Sequence, residues 1–156
     1  MMEEIRNREG NGSAMRLSTK GRYSLYAMTY LAKNYGEGPL PLRCIAQMGV
    51  QEDYLEQLIS MMRKAGLVMA HRGANGGYTL SRAPEKITMG DIIRAAEGPV
   101  QFSDCVDDAS FCSKASQCPT LPIWKYMTEQ IDMILDSITL QDILDEKRFD
   151  GGEEMR

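Results

Sequence analysis

The sequence has one histidine in 156 residues, and no serine, threonine or cysteine is placed beside it in a nucleophile–base pattern. An enzyme working by general base or nucleophilic chemistry is therefore disfavoured. No run of 18 or more apolar residues occurs, which excludes a membrane-spanning helix. The first fourteen residues, MMEEIRNREGNGSA, lack the apolar segment of a signal peptide, so the expected location is the cytoplasm. The four cysteines contain no CxxC pair, the usual mark of a zinc ribbon. In a cytoplasmic protein they are read as thiols or metal ligands rather than disulfides. At this length the chain can bury a core without covalent staples, as one domain plus extensions.

The net charge of −4 is unevenly spread. Residues 15–82 hold nine Lys/Arg and four Asp/Glu, a net +5, whereas residues 83–156 hold seven and fifteen, a net −8. A basic half joined to an acidic half suits a DNA-facing module attached to a regulatory or oligomerising one. Chance unevenness on a solvated surface would give the same count, so charge alone does not decide between them.

The chain is organised around Pro39–Tyr78. Leu42, Ile45 and Ala46 share one face of a short helix. After Gly49-Val50, Leu55, Leu58, Ile59 and Met62 fall at i, i+3, i+4 and i+7, an amphipathic helical period. Gly66 stands where a helix C-terminus takes positive φ. A strand pattern over Leu67–His71, a turn at Asn75-Gly76-Gly77 and a second strand from Tyr78 to Leu80 follow. Helix, turn, helix and two-stranded ribbon outline a winged helix-turn-helix, in which the second helix enters the major groove. A helical hairpin followed by an ordinary β-hairpin has the same outline.

Around this stretch, residues 1–14 are polar and aperiodic and are expected to be disordered. Ser18 or Thr19 caps a helix reaching about Asn34, with Tyr23, Tyr26, Ala27, Tyr30 and Leu31 as its apolar stripe. Thr88 with Asp91 resembles a capping box ahead of a helix over 89–97. Residues 99–121 show no period. A long helix over about 122–137 places Trp124, Met127, Ile131, Ile134 and Ile138 in a 3-4-3-4 seam, which can pack on its own domain or meet a symmetry mate; a homodimer interface is expected. Thr139 caps a last short helix, and an acidic tail follows. The expected organisation is thus a disordered extension (1–14), a DNA-binding domain (15–82), a cysteine loop with dimerisation helices (83–145) and the tail (146–156). The fold class is mainly α with a small β-wing and a long C-terminal dimerisation helix.

The outward residues of the second helix include Asp53, Tyr54, Glu56, Gln57, Arg63 and Lys64. Gln57 can pair with adenine N6/N7 and Glu56 can accept from cytosine N4. Tyr54 offers a hydroxyl to phosphate and an apolar body to a thymine methyl, and Arg63 and Lys64 suit phosphates. Arg72, at the ribbon tip, suits a narrow minor groove. Each of these taken singly is also an ordinary solvated residue. Farther on, Cys105, Cys112 and Cys118 place three thiols within fourteen residues. They can converge on a soft metal or an iron–sulfur cluster. Zinc and a thiol redox switch are the alternatives from residue chemistry alone. Cys44, inside the first helix of the motif, reads as a small buried hydrophobe.

The runs MRLSTKGRYSLYAMTYLA, IAQ, YLEQL, MRKAGLV, RGANGGYTL and ITMGDIIRAAEGP resemble the Rrf-two family of bacterial winged-helix regulators, over about Met15 to Asp145. The resemblance implies a homodimeric transcription factor, usually a repressor, that binds a palindromic double-stranded DNA operator. It places DNA contacts on Asp53, Tyr54, Glu56, Gln57 and Arg72. Cluster-binding branches of the family imply an iron–sulfur cluster, most simply 2Fe–2S, on Cys105, Cys112 and Cys118 with one non-cysteine ligand. The sequence departs from those branches at the fourth ligand. Leu121 stands where one branch has histidine, and Arg22 stands where another has an acid. Asp104, Asp107 and Asp108 are the nearby candidates. GEGP, YLEQL, IRAAEGP and ILDSITLQD resemble a cluster-free branch that represses cysteine metabolism and senses through cysteine synthase.

Overall fold

The computed structural model describes residues 17–146. The extension expected at 1–14 and all but the first residue of the acidic tail lie outside them. Six α-helices and one two-stranded sheet run in the order α1 (Thr19–Lys33), α2 (Leu42–Ile45), α3 (Glu52–Lys64), β1 (Val68–His71), β2 (Gly77–Leu80), α4 (Met89–Glu97), α5 (Leu121–Ser137) and α6 (Leu140–Asp145).

α1 begins where Ser18 accepts a hydrogen bond from the Gly21 backbone N–H, satisfying a donor the helix cannot pair internally. Its buried face is Gly21, Ser24, Ala27, Met28, Leu31 and Ala32. The expected tyrosine stripe is therefore corrected. Ala27 and Leu31 are buried, Tyr23 and Tyr30 are half-buried, and Tyr26 is 59% exposed. Tyr23 and Tyr30 pack against the core, so the departure is at Tyr26, while Gly21 lies against the Glu97 carboxylate of α4.

α2 continues into a tight turn over Ala46–Met48, and its Ile45 is fully buried. On α3 the i, i+3, i+4, i+7 set is the buried face: Leu55, Leu58, Ile59 and Met62 are each 0–1% exposed. Side chains of this size contribute about 1.5–3 kcal/mol each when withdrawn from water. Glu52 and Asp53 in the first turn and Arg63 and Lys64 in the last complement the helix dipole. Gly66, at φ +74°, ends the helix and turns the chain into β1.

β1 and β2 pair antiparallel with Val68 opposite Leu80 and His71 opposite Gly77. Leu40 joins the ribbon through reciprocal backbone hydrogen bonds with Tyr78, tying the wing to the approach of α2. Val68 and Leu80 point into the core while Met69 and Ala70 face out.

α4 starts with the capping box read from Thr88 and Asp91, with both reciprocal bonds formed. The equivalent box of Thr139 and Asp142 starts α6. Met89 donates its backbone N–H to Ile138 and Leu140 donates to Ile87, so the C-terminal segment is stitched back beside α4. Leu140 is fully buried in the shared core with Met28, Ile45, Leu55, Ile87 and Ile92.

α5 differs from the other long helices. Only Thr128 of its residues is buried. Arg94 of α4 holds it through Asp132 at 3.2 Å and through Asp136. Those two carboxylates keep the Arg94 guanidinium above its ordinary pKa, the Asp136 hydrogen bond being the larger influence. Ile123, Tyr126, Met133 and Ile134 of α5 are exposed apolar residues.

Candidate nucleic-acid interface and cysteine loop

The face of α3 opposite its buried stripe brings Asp53, Glu56, Gln57 and Lys64 together. They line one shallow groove with Ser60 and Met61. A second groove between the end of α3 and β1 is lined by Ser60, Arg63, Lys64, Val68, Met69 and Ala70. Asp53, Glu56, Gln57, Arg63 and Lys64 are exposed, so their functional groups are available to a partner. Arg72 is exposed at the wing tip, immediately after β1 and ahead of Gly73.

Tyr54 is placed differently from the others. It is half-buried, and its ring meets that of Tyr23 edge-on, centroids 6.2 Å apart at 85°. Tyr23 in turn lies 6.3 Å from Tyr26. Three tyrosines thus join the N-terminal half of α1 to the first turn of α3, an arrangement no local pattern signals. Ser60 and Met69 were also absent from the sequence expectation. Ser60 could have been found from its place three residues after Gln57 and four before Lys64. The exposure of Met69, 48%, depends on the register of the wing.

The expected dimer seam of α5 is only partly exposed. Ile134 is 58% exposed, and Trp124, Met127, Ile131 and Ile138 are half-buried. Ile123, Tyr126 and Met133, all more than half exposed, widen the apolar strip on the side away from α4. Apolar side chains in this density on one helix face commonly mark an interaction surface.

Between α4 and α5 the aperiodic stretch forms three short turns, over Asp104–Val106, Ala109–Phe111 and Ala115–Gln117. Phe102 stacks on Trp124 with centroids 6.4 Å apart and anchors the loop to α5. Cys105 lies in the first turn with its Sγ 3.1 Å from the Ser103 hydroxyl. Cys112 ends the second turn and is exposed. Cys118 ends the third, just before α5, with its Sγ 3.2 Å from the Thr120 hydroxyl. That hydroxyl, followed by the backbone N–H groups of Thr120 and Leu121, draws the Cys118 thiol below its ordinary pKa. A thiol so placed ionises, and reacts, at lower pH. In metal-free protein, the alkylation rate of Cys118, followed by peptide mass spectrometry, will rise through a midpoint below that of an unstructured cysteine peptide. A midpoint at or above the peptide value would refute this.

Among the described residues no three His, Cys, Asp or Glu side chains are gathered closely enough to hold a metal ion. The three thiols lie on successive turns of the loop. Of the candidate fourth ligands, Asp108 accepts through Oδ1 from the Ser110 hydroxyl and backbone N–H, which, the hydroxyl first, hold it below the usual carboxylate range. Asp107 accepts from the Gln101 carboxamide. Asp104 is exposed. His71 sits in the wing, 2.8 Å from the Thr79 hydroxyl, and Cys44 is half-buried rather than buried.

The helix-turn-helix with its antiparallel wing and an outward-facing second helix defines a winged-helix DNA-binding protein. Residues 17–146 match the family described as "Rrf2: Iron-dependent Transcriptional regulator", and the chain belongs to that family. It is 45% identical over 130 residues to the HTH-type transcriptional regulator CymR of Bacillus subtilis, covering 83% of this chain and 89% of that protein. It is 38% identical over 136 residues to the regulator IscR of Erwinia tasmaniensis, covering 86% and 82%. The fold superposes on the structure of CymR (YrzC), the global cysteine regulator of B. subtilis, with TM-score 0.69, 43% identity and coverage of 86% and 99%. It superposes on T. potens IscR with TM-score 0.66, 42% identity and coverage of 90% and 94%. These relatives are transcriptional regulators, not enzymes. No helix among the described residues is long and apolar enough to cross a membrane.

Proposed function

We propose that this chain is a homodimeric, sequence-specific repressor that reads a palindromic operator and senses iron–sulfur, redox or nitric oxide status through its cysteine loop. The observation that supports the DNA-reading part most directly is the division of α3. Leu55, Leu58, Ile59 and Met62 are buried in the core, which leaves Asp53, Glu56, Gln57 and Lys64 together on the free side. Gln57 and Glu56 then face base edges, Tyr54 is held against Tyr23 near the backbone, and Arg63 and Lys64 neutralise phosphates. Arg72 reaches the minor groove from the wing tip. Two copies joined through the outer face of α5 would present two such heads to the two half-sites.

In this proposal Cys105, Cys112 and Cys118 hold a 2Fe–2S cluster, with Asp104 or a group from outside the loop as the fourth donor. When bound, such a cluster supplies sensitivity to iron supply, oxidants and nitric oxide. The protein's own part is mechanical. The loop is rooted at the end of α4 and at the start of α5, so its order bears on both the domain core and the dimer helix. Likeness to CymR supports a second reading, a cluster-free regulator of cysteine metabolism acting with cysteine synthase. Iron content of anaerobically purified protein separates the two.

The placement of α3 has its own test. Gln57→Ala will relax base choice at one position of each half-site, at a cost of about 1–3 kcal/mol of discrimination. Lys64→Ala will weaken all sequences alike and flatten the salt dependence by about one unit of slope. Competition binding against a set of single-base operator variants distinguishes these patterns. Uniform loss for Gln57→Ala would place that side chain off the bases.

A further inference from the structure

Glu97 is the last residue of α4, and the cysteine loop leaves from Gly98. Its Oε1 accepts three hydrogen bonds from the start of α1: the Ser18 backbone N–H at 3.0 Å, the Ser18 hydroxyl at 2.6 Å and the Gly21 backbone N–H at 3.1 Å. These residues lie more than seventy positions away in sequence. The first turn of a helix has N–H groups without internal partners and a partial positive charge, so a carboxylate is a strong ligand for it. Gly21 makes the contact possible. A Cβ at that position would collide with Glu97 Oε1 and touch the Leu17 side chain. Two residues further along α1, Tyr23 packs edge-on against Tyr54 in the first turn of α3.

We propose that Glu97 is the positioning residue that links the root of the cysteine loop to the DNA-reading helix, by clamping the first turn of α1 and through it the Tyr23–Tyr54 contact. The proposal rests on the DNA-reading and loop-sensing function above. Its physical content is a short series of contacts: Gly98 at the loop root, the Glu97 carboxylate, the Ser18–Gly21 turn, Tyr23, Tyr54. A change in the loop that withdraws Glu97 frees the turn, and the ring contact that fixes Tyr54 loosens with it.

Two variants break the same contact by opposite routes. Glu97→Ala removes the carboxylate. Gly21→Ala keeps it but occupies its place, while adding a residue that helix propensity alone would favour. Each is made in the full-length chain, purified without oxygen, with Cys105/Cys112/Cys118→Ala as the loop-altered counterpart. The probe is the duplex enriched from random DNA by the wild type. In the wild type, the intact and loop-altered proteins will differ in affinity for this duplex. In both variants that difference will fall to within about twofold, since coupling vanishes when the linking element no longer distinguishes the two states. Hydrogen exchange provides the second readout. Amides in the first turns of α1 and α3 will exchange about fivefold faster in both variants, the size of one lost helix cap, with α5 unchanged. A wild-type affinity difference that persists undiminished in both variants overturns the proposal. If the wild type itself shows no difference, the sensing function fails, and the exchange readout still decides the link. Faster exchange in the first turn of α3 upholds it, and faster exchange confined to α1 overturns it.

Discussion

Replacing Ile134 by Asp will convert the dimer to a monomer at micromolar concentration and lower operator affinity by about a thousandfold, to the level of non-specific binding. Ile134 is 58% exposed in the single chain and lies in an apolar strip with Ile123, Tyr126 and Met133. A carboxylate there costs the folded protomer little, since the position already faces water. At a self-complementary interface it would be buried twice per dimer without a partner, at a cost of several kcal/mol. The loss of DNA affinity follows from geometry, because a monomer engages one half-site only. Light scattering and titration of the duplex check both parts. A wild-type chain that is monomeric at these concentrations, or an Ile134→Asp variant that stays dimeric, would contradict the interface.

The second large effect is expected from Cys105/Cys112/Cys118→Ala. Iron and visible absorbance will fall to background, and the operator affinity will be fixed at one value, roughly 5–150-fold from that of the intact protein, the usual range of allosteric coupling. Folding should survive, because Cys105 and Cys118 are only half-buried, Cys112 is exposed and none belongs to the shared core. A ligand switches a protein only by its differential interaction with two states. Unchanged iron, or unchanged affinity despite lost iron, would remove the cluster from the regulatory account.

Much of the fold could be read in advance because its signals are local and periodic. The buried set of α3 follows from 3.6-residue spacing, and the Thr88–Asp91 box and the Gly66 stop follow from capping chemistry. The stripe of α1 holds at Ala27 and Leu31, with Tyr23 and Tyr30 packed against the core, and departs at Tyr26, which is left at the surface. Gly21, outside that stripe, is buried because it admits the Glu97 carboxylate at the end of α4. The cysteine stretch showed no period because three-residue turns have no amphipathic repeat long enough to detect. The contacts of Glu97 with Ser18 and of Tyr54 with Tyr23 join residues far apart in the chain, and no spacing rule brings them together. On the outer side of α3, the exposure of Glu56, Gln57 and Lys64 was legible from helix phase, whereas the place of Ser60 and Met69 depended on the groove that α3 forms with the wing.

The central claim is that the cysteine loop carries iron chemistry on a DNA-reading dimer. Iron and acid-labile sulfide analysis of the full-length chain, purified anaerobically and accompanied by its visible spectrum, tests this most directly. The account predicts about two irons and two sulfides per chain with visible absorption, all lost in the triple cysteine variant. A chain that contains neither iron nor sulfide yet binds the selected duplex specifically would contradict it and leave the cluster-free regulator in its place.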